Sequence, residues 1–99
     1  MLEKDIEKSV KRYAESHGWL TRKWTSPGHI FVPDQIFINP NGVVIFIEFK
    51  RTGKKPTEGQ LREHGKLRKQ GCLVFVVDSV EGGRELVDQL NNKKITFVG

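Results

Sequence analysis

The sequence predicts an α/β protein with a mixed β-sheet flanked by helices, in the order αβββαβαβ. Three observations predict it. An amphipathic segment with apolar residues at helical spacing begins the chain. Two apolar segments then flank an Asn-Gly turn, which favours an antiparallel hairpin. A helical segment finally joins the second of these strands to another apolar strand, and such βαβ units have parallel strands and a right-handed crossover.

The first helix is predicted from Glu3 to Ser16, and Gly18 ends it. Its apolar residues recur at helical spacing, and its acidic residues lie near the positive N-terminal end. The segment from Trp19 to Thr25 is predicted to form the first strand. A Ser-Pro-Gly loop follows, so the chain turns before the hairpin begins.

The hairpin is predicted to place Asp34 opposite Glu48. Residues 34–39 and 43–50 form its strands, and Pro40-Asn41-Gly42 forms a three-residue loop in which glycine suits the left-handed position. Positions 34 and 48 are equally distant from Asn41, and directly opposed residues have Cβ atoms roughly 4.5–5.5 Å apart. Two carboxylates at that separation repel, and a bound divalent cation is the usual remedy.

The second half of the chain is predicted to alternate helices and strands. Thr57 and Gln60 match a capping box, and that helix runs to about Gln70. Cys72 to Asp78 is continuously apolar, which favours a strand buried on both faces. A helix from about Val80 to Leu90 and a last strand from Ile95 to Val98 complete the order.

The 99 residues indicate one domain that spans residues 1–99. One cysteine excludes an intramolecular disulfide framework, so a reducing cytoplasm is expected. No apolar signal region begins the chain, and the longest apolar run, Leu73 to Val77, is too short to cross a bilayer. We therefore expect a soluble intracellular protein without a membrane partner.

The net charge of +5 is concentrated in one part of the chain. Residues 48–70 hold eight basic and three acidic residues, so the rest of the sequence is neutral. A solvated helix face is the ordinary interpretation of such a run. Its position next to the Glu48 carboxylate favours a polyanion, most simply the phosphate backbone of a nucleic acid.

Asp34, Glu48 and Lys50 have the chemistry for metal-assisted hydrolysis of phosphodiester bonds. Carboxylates bind hard cations such as Mg²⁺ or Mn²⁺, which acidify a bound water and polarise a phosphoryl oxygen. Lys50 is suited to orient that water or stabilise the charge that develops on phosphate. The backbone carbonyl of Phe49 is a candidate neutral ligand. The alternative is a surface ion pair between Glu48 and Lys50, which contributes little.

These motifs resemble the VRR-NUC (virus-type replication-repair nuclease) domain of the PD-(D/E)XK superfamily. The resemblance includes Pro33-Asp34, Glu48-Phe49-Lys50 and Gln60, and it extends over nearly the whole chain. It implies a restriction-endonuclease-like fold and a divalent-metal nuclease similar to stand-alone phage and bacterial proteins and to archaeal Holliday-junction resolvases. A phage-encoded protein or one from a bacterial cytoplasm is therefore expected.

The resemblance also implies two further site residues. Gln60 matches the family glutamine on the helix after the lysine strand, although its place in the capping box explains it equally well without catalysis. The family uses a glutamate of the first helix, and here Glu3 and Glu7 lie on one helical face. Glu3 fits the apolar residues that follow it better, so Glu3, Asp34, Glu48 and the Phe49 carbonyl are the expected metal ligands.

DNA contacts are expected from basic residues around this site. The candidates are His29, Arg51, Lys54, Lys55, Arg62 and Lys66. His64 is expected on the side of its helix that faces DNA. The chain departs from the family before Val-Pro-Asp, where Phe31 stands in place of a frequent glycine, and this bulk is expected to affect the fit of substrate more than metal binding.

Three functions are compatible with the sequence. The first is a structure-specific DNA endonuclease, in its sharper form a Holliday-junction resolvase that makes two symmetric cuts as a homodimer. Candidate interfaces are the Trp19–Trp24 strand and the last strand. The second is a non-catalytic nucleic-acid-binding module that retains the fold. The third is a nuclease that acts on flaps, nicks or plain duplex DNA.

Overall fold

The computed structural model describes residues 1–95, and these residues form three helices and four strands. In chain order the elements are α1 (Glu3–Ser16), β1 (Leu20–Lys23), β2 (Gln35–Ile38), β3 (Val44–Phe49), α2 (Glu58–Lys69), β4 (Leu73–Val77) and α3 (Val80–Leu90). This order confirms the predicted elements through the third helix. Residues 96–98 of the predicted last strand lie outside the described residues.

One mixed sheet has the strand order β1-β2-β3-β4. The first two pairings are antiparallel and the β3–β4 pairing is parallel, as the βαβ pattern predicts. The helix α2 makes the crossover between these parallel strands and packs against β4. The carboxyl ends of β3 and β4 therefore lie side by side, and the loops that follow them open at the same edge of the sheet.

The hydrophobic core lies between one face of the sheet and the helices α1 and α3. Alternate residues of β2 and β3 point into it, including Phe37, Ile45 and Ile47, because side chains alternate along a strand. Ile6, Val10 and Ala14 form the buried face of α1. Gly83 of α3 lies against Val10 so closely that a Cβ atom at position 83 would overlap its side chain. That glycine allows the two helices to approach each other.

The hairpin between β2 and β3 has the predicted three-residue loop. The Asn39 N–H donates to the Val43 carbonyl at 2.9 Å, and Gly42 has φ +84°. The buried Asn39 side chain accepts hydrogen bonds from the backbone of Asn41 and Val43, both at 2.9 Å. Its amide group donates to the carbonyls of Leu90 and Lys93, both at 2.8 Å. One side chain thus fixes the turn and joins it to the end of α3.

The second face of the sheet is only partly covered, and here one expectation was wrong. We expected a β4 strand buried on both faces, but Val76 on this face and Leu73 on the core face are both exposed, and β4 is the edge strand of the described sheet. The helix α2 covers the β4 side of this face. Leu20 of β1 and Val44 of β3 remain 46% and 43% exposed, so an apolar surface is open on the β1 side.

No helix within residues 1–95 is long and apolar enough to cross a membrane.

Asn39→Ala is expected to lower the free energy of unfolding by about 2–4 kcal/mol, because it removes four short hydrogen bonds and leaves buried backbone groups without partners. Asn41→Ala is the matched control, since its exposed side chain makes one hydrogen bond, at 3.2 Å to the Lys93 carbonyl. Urea unfolding of both variants measures the difference. Equal losses in the two variants would contradict the role assigned to Asn39.

Candidate active site

Asp34 and Glu48 lie together where the hairpin strands end. The β2–β3 register pairs Gln35 with Ile47, so Asp34, the residue before β2, stands opposite Glu48 as predicted. Asp34 Oδ2 accepts a hydrogen bond from the backbone N–H of Phe49 at 3.2 Å. The two carboxyl groups are also close enough to share a hydrogen bond. The local hairpin geometry therefore suffices to bring two acids from distant positions to one point.

The Glu48 carboxyl group is costly to ionise in the metal-free protein. It is 2% exposed, and burial is the largest cause that raises its pKa to about 8. The hydrogen bond to Asp34 and the negative charge of Asp34 raise the pKa further, whereas the positive charge of Lys50 lowers it. Glu48 Oε1 is buried without a hydrogen-bond partner. This oxygen is available to a donor or a cation.

Lys50 lies beside this pair and is itself 7% exposed. Its backbone N–H donates to the Val77 carbonyl at 2.9 Å, which extends the β3–β4 pairing one residue beyond β3. The positive charge acts on Glu48, yet no salt bridge within 4.0 Å joins these two described side chains. The alternative of a surface ion pair is therefore wrong, because both groups are buried and unpaired with each other.

The helix α1 brings two glutamates toward the same place. Glu7 is half-buried and accepts a hydrogen bond from the Gln35 side-chain amide. Burial is the main cause that raises the pKa of Glu7, and the negative charges of Asp34 and Glu3 raise it further. Glu3 is exposed and its charge also acts on Glu48. Glu7 and Asp34 thus interact through their charges, as do Glu3 and Glu48, and Glu7 is the acid of α1 that is held by a hydrogen bond.

Gln60 forms the capping box that the sequence predicts. The Gln60 N–H donates to Thr57 Oγ1 at 3.2 Å, and Gln60 Oε1 accepts from the Thr57 N–H at 3.0 Å. Its side chain is half-buried in the first turn of α2. Capping therefore accounts for the side-chain carbonyl of Gln60, and a part in catalysis stays a prediction.

His64 is the site residue that the sequence reasoning placed wrongly. We expected it on the DNA-facing side of α2, but it is 0% exposed and its Nε2 lies 3.5 Å from Glu48 Oε1. Burial, followed by the positive charges of Arg68 and Lys50, lowers the pKa of His64. The spacing of four residues from Gln60 puts both on one side of α2 and was the signal available in the sequence.

The basic residues expected to contact DNA are all at the surface. They are His29, Arg51, Lys54, Lys55, Arg62 and Lys66. Phe31 packs against Gly59 at the start of α2, where a Cβ atom would come within 2.6 Å of the phenyl ring. The bulky residue before Val-Pro-Asp is thus accommodated by a glycine across from it, and this contact attaches the loop before β2 to α2.

Comparison with known proteins identifies the family. No family model matches the sequence. The chain is 44% identical over 77 residues to "Putative nuclease p44" of Acyrthosiphon pisum secondary endosymbiont phage 1. The aligned residues cover 78% of this chain and 83% of that protein. It is also similar to a solved structure titled "VRR_NUC domain", with 39% identity, a TM-score of 0.80 and coverage of 87% of this chain and 94% of the other.

The chain belongs to the VRR-NUC family. A second solved structure, "VRR_NUC domain protein", has 15% identity and a TM-score of 0.72, covers 90% of this chain and 87% of its own, and so supports the fold alone. The family resemblance and the mixed α/β fold predicted from the sequence are both confirmed.

The VRR-NUC site suits a hard divalent cation. Two carboxylates at one point, one of them with a buried oxygen that lacks a partner, would be stabilised by such an ion. Within residues 1–95 no group of three or more His, Cys, Asp or Glu side chains is arranged to hold one ion. The two carboxylates of Asp34 and Glu48 are nevertheless enough for Mg²⁺. This ion usually keeps several waters and binds through one or two carboxylates and substrate phosphates.

The pH dependence of stability tests the environment of Glu48. A carboxyl group with a raised pKa binds its proton more tightly in the folded state, so its stabilising contribution is complete below about pH 4.5 and is lost as the pH rises toward 8. One pKa unit is worth about 1.4 kcal/mol, and each 1 kcal/mol moves Tm by about 4–8 °C in a domain of this size.

Between about pH 5 and pH 8, the Tm of metal-free wild type is therefore expected to fall by at least ~4 °C more than that of Glu48→Gln. Differential scanning fluorimetry in EDTA measures this difference. Glu15→Gln on the exposed end of α1 is the control and should follow the wild type. A wild-type Tm that does not fall relative to Glu48→Gln would contradict the buried, proton-binding Glu48.

Proposed function

We propose that this VRR-NUC protein is a divalent-metal-dependent endonuclease that hydrolyses phosphodiester bonds in DNA. The observation that supports it most strongly is the placement of Asp34 opposite Glu48 with the buried Lys50 two residues later. Nuclease activity agrees with the family and with the name of its phage relative. A protein that merely binds nucleic acid gains nothing from carboxylates placed next to phosphates.

In this proposal Asp34 and Glu48 hold Mg²⁺ or Mn²⁺, with the Phe49 carbonyl and a glutamate of α1 as further candidate ligands. When bound, the ion would act as a Lewis acid that polarises the phosphoryl oxygen, and it would lower the pKa of a bound water. Asp34 is kept in place by the Phe49 N–H. Glu3 and Glu7 are the candidate acids of α1, and the negative charge of Asp34 acts on Glu7.

Lys50 is proposed to act on the charge of the scissile phosphate. An ammonium group in a buried site is poorly solvated, so it interacts with a phosphate oxygen far more strongly than an exposed lysine does. Its backbone is fixed by the hydrogen bond to Val77, which limits the positions that the side chain can take. Lys50 is thereby preorganised to orient the attacking water or stabilise developing charge.

The exposed basic residues are proposed to bind the DNA backbone. Arg62 and Lys66 are one helical turn apart on α2, and Lys54 and Lys55 lie in the loop that joins β3 to α2. The loop follows the carboxyl end of β3, where Glu48 and Lys50 lie, and α2 reaches the same site through the contact of His64 with Glu48. Phosphate contacts from these side chains would fix the register of the strand relative to the metal ligands.

A branched substrate cut by a homodimer is the sharper form of the proposal. Each chain has one candidate site, so two symmetric cuts across a four-way junction require two copies related by a twofold axis. The open apolar sheet face at Leu20 and Val44 supports the β1 side as the interface. Flaps, nicks and plain duplex DNA are the competing substrates.

Lys50→Ala is expected to reduce cleavage of labelled DNA by at least ~10²-fold while it retains DNA binding, because it removes charge stabilisation but not the surface basic residues. The assay compares four-way junction, flap, nicked and linear duplex DNA with Mg²⁺ or Mn²⁺. Lys8→Ala, on the exposed part of α1, is the control and should cleave like wild type. Full activity of Lys50→Ala, or no cleavage of any substrate by folded wild type, would contradict the proposal.

Leu20→Asp is expected to convert a wild-type dimer into a monomer, because it places a charge in the proposed apolar interface. Analytical ultracentrifugation over a range of concentrations measures the change. Gln89→Asp, on the exposed side of α3, is the control. A wild type that stays monomeric at all concentrations, or a Leu20→Asp variant that remains dimeric, would contradict this interface.

A further inference from the structure

His64 is a buried polar residue whose position packing alone does not explain. It is fully buried, and neither ring nitrogen has a hydrogen-bond partner. A buried polar group without a partner costs about 1–3 kcal/mol, whereas a methionine or leucine of similar size would fill the space without that cost. Such a group needs an explanation beyond stability.

The polar group that lies against the imidazole ring is the Glu48 carboxylate. Nε2 lies 3.5 Å from Oε1, and that oxygen is also buried and without a partner. A hydrogen bond from a ring N–H to an oxygen has a length of about 2.7–3.2 Å, so a small movement of either side chain completes it. Hydrogen bonds at active sites are often long before the ligand is bound.

The same carboxyl group also lies within hydrogen-bond reach of Asp34. Glu48 is therefore placed between a histidine of α2 and an acid of the hairpin. Its side chain has several rotatable bonds, and the orientation of its two oxygens decides whether one of them points at Asp34. A donor at Oε1 fixes that orientation, because it holds one oxygen and leaves the other directed toward the second acid.

We propose that His64 is a positioning residue that donates an Nε2–H hydrogen bond to Glu48 Oε1 and so orients the Glu48 carboxylate for a divalent cation. The inference rests on the proposed function, in which Glu48 is a metal ligand. The hydrogen bond stabilises the ionised carboxylate in a buried place, and charged acceptors form the stronger bonds. His64 touches neither the cation nor the DNA in this role.

Loss of this donor has opposite effects on stability and on metal binding. His64→Met removes a buried group without partners, so the Tm of the metal-free protein should be unchanged or higher. The same variant leaves Glu48 without its donor, and the loss of such outer partners typically weakens metal affinity about 10–100-fold. A residue with a purely structural role would lower the Tm and leave the intrinsic metal affinity of the folded protein unchanged.

The experiment measures Mn²⁺ binding by isothermal titration calorimetry, together with the Tm in EDTA, for four proteins. These are wild type, His64→Met, His64→Gln and the exposed control His17→Met. We expect the Kd for Mn²⁺ to rise about 10–100-fold in His64→Met. We expect His64→Gln, whose amide keeps a donor near the position of Nε2, to stay within about 3-fold of wild type, and His17→Met to bind like wild type.

Two results would overturn the role of His64 alone: a wild-type Kd in His64→Met, or equal weakening in His64→Met and His64→Gln. If His64→Met does not fold, the comparison of His64→Gln with wild type decides, and a weakening of 10-fold or more overturns the role. A folded wild type that binds no Mn²⁺ at all would overturn the proposed function and, with it, this inference.

Discussion

The register of one hairpin determines the geometry of the site. Residues 40–42 form the loop of the β2–β3 hairpin, and the buried Asn39 side chain fixes both the turn and its attachment to the end of α3. A shift of one residue would move every side chain of β3 to the other face of the sheet. It would bring Glu48 and Lys50 into the core and expose Ile45 and Ile47. Core packing and site geometry therefore enforce the same register.

The candidate active site contains buried ionisable side chains, and their desolvation is unfavourable for folding. Glu48 and Lys50 are buried without a salt bridge to each other, and two acids of separate elements stand together. A fold selected for stability alone would place apolar residues here. The hydrophobic core on the other face of the sheet compensates for this cost, and exposed basic residues stay on α2 and its preceding loop. Stability and chemistry are thus assigned to opposite faces of one sheet.

Local sequence patterns predicted most of the secondary structure and the pairing of Asp34 with Glu48, but they did not predict how the helices pack on the sheet. The turn at Pro40-Asn41-Gly42 placed Asp34 opposite Glu48, because hairpin loop length determines register. The capping box at Thr57 and Gln60 followed from spacing in the same way. The burial of His64 did not, since the face that α2 turns toward Glu48 depends on how the crossover packs. The exposure of β4 also depends on which strand, if any, lies beside it, and apolar composition alone does not specify that neighbour.

The most direct test of the central claim is anomalous X-ray diffraction from crystals of the wild-type protein grown with Mn²⁺. The account predicts one strong anomalous peak between the carboxylates of Asp34 and Glu48, within about 2.0–2.3 Å of an oxygen of each, the range of hard-cation coordination. A Mn²⁺ peak bound elsewhere on the chain, with Asp34 and Glu48 still sharing a hydrogen bond, would contradict it.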